Sequence, residues 1–115
     1  MITDQAKIYL QELVRLSRYL QIACGYEKLT VAGTAVSLAS IPEDANYAIV
    51  TVESSITTTA IRYLELGANT LPTSTDGAPK SNLDIFDIQG QQNLKTFRAI
   101  QVSAGTHTLQ IQYYK

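Results

Sequence analysis

The sequence predicts a mainly β fold, an antiparallel β-sandwich of about seven strands preceded by one N-terminal α-helix. Three observations predict it. The first 24 residues place apolar side chains at helical spacing and contain neither Gly nor Pro. From Lys28 onward the period changes to two, and β-branched residues dominate. Short apolar runs then recur between turns marked by Gly, Pro, Asn and Asp. The expected organisation is an amphipathic helix over 1–25, for oligomerisation or docking, and a β-sandwich domain over 26–115. A chain of 115 residues buries enough surface to need no staples, and its single cysteine, Cys24, rules out an internal disulfide.

The helix starts at Thr3 or Asp4, whose side-chain oxygens suit an N-cap, and ends before Gly25, placed as a C-terminal glycine. Ile2, Ala6, Tyr9, Leu13, Leu16, Leu20 and Ala23 follow an alternating four-three spacing, a seam kept over three heptads and widened by Leu10 and Val14. Such a seam packs on its own domain or on copies of itself. Cys24 closes the helix at its negative end, where a thiolate is not favoured.

Strands are predicted at 28–32, 35–40, 47–54, 59–66, 83–89, 96–103 and 106–114. The run "YAIVTVES" is apolar on both faces in its middle, as in a central strand covered on both sides. The run "THTLQIQYY" alternates cleanly, with His107, Leu109, Ile111 and Tyr113 facing one way. The run "TFRAIQVS" does not, and reads as buried on both faces or bulged. Residues 67–82, "GANTLPTSTDGAPKSN", form the one long loop, a length that suits a contact segment.

Little in the chain points to catalysis. His107 is the only histidine and lies on the apolar parity of its strand, so it reads as a structural residue with a ring nitrogen bonded to backbone or water. A zinc or transition-metal site needs three or four ligands, which one His and one distant Cys do not supply. Asp84 and Asp87 fall on opposite faces of a strand. No G-x-S-x-G, G-x-x-x-x-G-K-[ST] or G-x-G-x-x-G pattern occurs. A net charge of −1 with scattered basic residues gives no footprint for nucleic acid. The start of the chain lacks the charge and apolar run of a secretory signal, and no stretch is long and apolar enough for a membrane span. No cofactor, metal, nucleic acid or membrane is therefore expected.

In order and spacing, "YAIVTVES", "AIRYLELG", "PTSTDG" and "NLKTFRAIQVSAGTHTLQIQYYK" resemble a family of small virion structural proteins of tailed bacteriophages, over roughly residues 45–115. The helix at 2–24 is not a feature of the usual short members. The resemblance implies a β-sandwich without catalysis, with Arg62 and Arg98 as interior-strand residues expected against carboxylates such as Glu53 or Asp84. It implies a decoration (cement) protein, made in the host cytoplasm and carried on the capsid surface. Its partners would be the major capsid protein and itself, as a homotrimer. In that setting Ile2, Ala6, Tyr9, Leu13, Leu16 and Leu20 form the oligomer or docking interface, and Asn69, Leu71, Pro72 and Pro79 the capsid-contact loop. The alternatives are a neck, tail or fibre-attachment component, or a carbohydrate-binding module on the virion surface whose platforms would have to be tyrosines, since tryptophan is absent.

Overall fold

The helical spacing of the first residues becomes α1, Asp4–Tyr19, in a computed structural model that describes residues 4–19 and 21–115, and of residues 13–19 the backbone alone. After α1 the strands are β1 (Ala23–Val31), β2 (Tyr47–Ser54), β3 (Thr59–Leu64), β4 (Ala78–Ser81), β5 (Ile85–Gln89), β6 (Arg98–Gln101) and β7 (His107–Tyr114). A short helix, α2 (Gln91–Thr96), separates β5 from β6. All pairings are antiparallel, in a four-stranded sheet of order β1-β7-β2-β5 and a three-stranded sheet of order β4-β3-β6. The mainly β fold of seven strands in two sheets, with an N-terminal helix, is thus present.

The core lies between the sheets because alternate residues of each long strand turn inward. Ala48, Val50 and Val52 of β2, Phe86 and Ile88 of β5, and Leu109, Ile111 and Tyr113 of β7 are buried on the inner face of the larger sheet. Ala60 and Ile61 of β3, Ala99 of β6, and Leu94 and Phe97 beside them meet these from the other side. Tyr63 of β3 stacks on Phe86 of β5 at 4.4 Å between ring centroids, and Phe97 joins them at 5.5 Å from Tyr63. This trio ties the two sheets together. Each aromatic pair adds about 0.5–1.5 kcal/mol beyond the area it buries.

Several elements differ from their expected places. The strand predicted at 28–32 begins at Ala23, so Cys24 and Gly25 are strand residues rather than the end of the helix, and the expected boundary at 25/26 falls inside β1. A bulge lies between Ala23 and Gly25. There a Cβ on Gly25 would stand 2.7 Å from Pro42 Cγ, so the glycine is required by close approach and not by a helix cap. The segment 35–40 is no strand. It makes one bridge, Val36 to Ala99, and the amides of Ala39 and Ser40 go to the carboxylate of Glu27 instead of a ladder. The loop 67–82 contains a 3-10 turn at Gly67–Asn69 and the whole of β4. Pro79 is tolerated in β4 because that strand is an edge. In the run "NLKTFRAI", Gln91–Thr96 is helix and strand pairing starts only at Arg98. "YAIVTVES" is central within its sheet yet covered on one face only, with Ile49 and Thr51 half-buried on the other.

Candidate functional site

The side chain of His107, the chain's single histidine, has no exposed surface. Nε2 lies 2.8 Å from the carbonyl of Ser103, and Nδ1 lies 2.8 Å from Oγ of Ser54. A carbonyl only accepts, so Nε2 carries a proton. In the neutral ring Nδ1 then accepts from the Ser54 hydroxyl. A serine that donates to a histidine nitrogen is the geometry of an activated nucleophile. The surroundings, however, commit these atoms to the fold. Ser54 Oγ also accepts the amide of Ile56 at 3.2 Å. The ring is oriented by a backbone carbonyl rather than a carboxylate. Next to it, Ser55 N donates to Thr106 O at 3.0 Å and Thr106 N donates to Ser55 Oγ at 2.9 Å. His107 thus fastens two crossings between the sheets, β2 to β3 and β6 to β7.

A second polar cluster was not anticipated from the sequence. Glu27 of β1 is nearly buried. Its carboxylate accepts the amide of Ala39 (3.1 Å to Oε2) and the amide of Ser40 (3.1 Å to Oε1), and it accepts the hydroxyl of Tyr113. Burial, then the hydrogen bond to Glu27 and its negative charge, push the Tyr113 phenol far above the usual tyrosine range. The readable signal was parity, since Glu27 shares its face with Leu29 and Val31.

The expected contact residues divide. Asn69, Leu71 and Pro79 are exposed, whereas the Pro72 side chain is buried and unavailable to a partner as the chain stands. The loop is tied from within. Thr73 Oγ1 donates to Asp76 Oδ2 at 2.9 Å, and Arg62 donates to the carbonyls of Ser74 (3.2 Å) and Gly77 (2.8 Å). Arg62 therefore holds backbone, not Glu53 or Asp84. Arg98 likewise donates to the carbonyls of Lys95 and Phe97. Of the expected seam, Ile2 and Leu20 and the side chains of Leu13 and Leu16 lie outside the described residues. Ala6 is half-buried and Tyr9 is 65% exposed. Ile8 and Leu10 beside them are 61% and 49% exposed.

No family model, curated protein or solved structure matches the chain. The geometry therefore carries the functional reading.

Among the described residues no group of three or more His, Cys, Asp or Glu side chains is placed to hold a metal ion, and no helix is long and apolar enough to cross a membrane. Every buried side-chain nitrogen or oxygen among them has a hydrogen-bond partner. Cys24 is a free, half-buried thiol in β1. What the molecule offers outward is surface: the apolar residues of α1, the braced loop and the outer face of the four-stranded sheet.

Proposed function

We propose that this chain is a non-enzymatic structural protein of a tailed-phage particle, a decoration (cement) protein. It binds the outer face of the head and holds neighbouring major capsid subunits together. The observation that carries the reading is the exposure of Ile8, Tyr9 and Leu10 in succession on α1. Tyr9 belongs to the expected seam and Leu10 widens it, and apolar side chains of one helix stripe left in water favour association with a second surface. The family resemblance of residues 45–115 supplies the particle context. Association as a homotrimer through α1 would let three sandwiches, each with its braced 67–82 loop, contact the shell at once. Many modest contacts then sum without any one being strong.

The test is the native mass by light scattering, together with co-sedimentation on undecorated heads. A trimer that becomes a monomer on Tyr9→Glu, with loss of head binding, is the expected result. A wild-type monomer that sediments apart from heads would sink the proposal. Counting copies per particle separates shell from neck or tail, with hundreds expected for the shell.

A further inference from the structure

The outer face of the four-stranded sheet carries a built concavity that the particle reading does not use. Register aligns Tyr26, Gln112 and Ile49 across β1, β7 and β2, and in the adjacent row Lys28, Gln110 and Thr51. Tyr26, Ile49, Thr51, Gln110, Ile111 and Gln112 line an open depression of about 390 Å³. Tyr26 donates its hydroxyl to Oε1 of Gln110, its diagonal neighbour on the next strand. Anchored on β1 by its backbone and on β7 by its hydroxyl, the ring lies across the sheet. It nevertheless keeps 57% of its surface in solvent.

We infer that this face binds a neutral oligosaccharide, with a pyranose ring stacked on Tyr26 and its hydroxyls held by Gln110, Gln112 and Thr51. The C–H face of a sugar is weakly positive, and the face of an aromatic ring is negative. Gln110 has committed Oε1 to Tyr26, which leaves its Nε2 hydrogens for donation, and Gln112 and Thr51 each both donate and accept. Sugar hydroxyls do the same, so the two sides match in kind. They match in charge as well. The lining contains no ionic residue, and the nearest in register, Lys28 and Asp87, stand at opposite rims. A neutral polyol displaces water there without stripping an ion. A nucleic acid would need a cationic surface that is missing. Because the Tyr26 ring is already pinned, little rotamer freedom is lost on binding.

The experiment is a titration of the isotope-labelled full chain with neutral tetrasaccharides of glucose, mannose, galactose and N-acetylglucosamine. Amide shifts are followed up to about 10 mM sugar, which fills a millimolar site roughly nine-tenths. At least one sugar is expected to move the amides of Tyr26, Thr51, Gln110 and Gln112. Tyr26→Ala is expected to weaken binding about tenfold or more, and Tyr26→Phe, which keeps the ring but frees it, by less. Tyr26 lies outside the core, and a dispersed spectrum of each variant verifies its fold. Silence from all four sugars, equal binding by Tyr26→Ala, or shifts produced only by sulfated or sialylated sugars would each overturn the inference. The isolated protein suffices, so the outcome is independent of the particle reading.

Discussion

Tyr113 donates its hydroxyl to the carboxylate of Glu27, joining the first strand to the last by a buried, charge-assisted hydrogen bond. Burial and Glu27 raise the phenol's pKa, so the folded state holds this proton at a pH where the unfolded chain, titrating near 10, releases it. With fewer protons on the unfolded state, stability falls as pH rises above about 10, by about 1.4 kcal/mol per pH unit for one group. Tyr63, also raised by burial and then by Glu65 and Asp87, acts in the same direction. Urea unfolding between pH 9 and 11 is expected to show this decline in the wild type and a shallower one in Tyr113→Phe. At pH 7 the same variant is expected to lose about 2 kcal/mol, the size of a hydrogen bond to a charged group.

Glu65 is held above the usual carboxylate range, first by burial and then by Asp87. A raised acid binds its proton more readily in the folded state, so its contribution is most favourable at low pH and is lost as pH rises through the folded pKa. Glu65→Gln is therefore expected to raise the urea midpoint at pH 7 and to make little difference at pH 4.

Leu83 has φ of +70°, the one non-glycine residue with positive φ among those described, and it is 70% exposed. The left-handed region costs a leucine about 1–2 kcal/mol, and this side chain recovers little through burial. Its turn is pinned by Leu83 N to Val52 O at 2.7 Å and Ser81 N to Asp84 Oδ2 at 2.7 Å, so the backbone does not escape the strain. Leu83→Gly is expected to stabilise the protein by about 1 kcal/mol in urea unfolding.

His107→Ala removes two hydrogen bonds and leaves the Ser103 carbonyl and the Ser54 hydroxyl without their partner. A loss of about 2–4 kcal/mol is expected, with Ser54→Ala costing about 1 kcal/mol. Thermal unfolding of both variants checks the order. A larger loss in Ser54→Ala would show that the serine, not the ring, holds the corner.

Gly25→Ala places a Cβ against Pro42 and is expected to destabilise by about 1–3 kcal/mol. Pro42→Ala opens that space, so the double variant should recover part of the loss. Strict additivity of the two in urea would show that the contact is not what excludes a side chain.

How much of this was legible depended on whether side chains or backbone partners set the structure. β2 and β7 were readable because their inward residues alternate and their backbones pair on both sides. The segment 35–40 alternates just as well through Val36 and Leu38, yet its next amides bond a side chain 12 and 13 residues earlier, which no local pattern encodes. β4 was hidden by its proline and by its brevity. Gly25 resembled a helix terminator because its true constraint, Pro42, is distant in sequence. Of the candidate surfaces, the tyrosine platform was foreseeable only as a residue type. The pairing of Tyr26 with Gln110 depends on register across β1 and β7.

The order β1-β7-β2-β5 makes the last strand of the sequence the neighbour of the first. β1 and β2 reach each other only through β7, so the larger sheet has no complete hydrogen-bonded intermediate until β7 has been synthesised. Pairing β1 with β7 closes a long loop before most of the contacts that reward it, the arrangement that raises contact order in β proteins. Of the strands of that sheet, β2 can pair with β5 before β7 is made, whereas the apolar inner face of β1 has no neighbour in the sheet until β7 is in place.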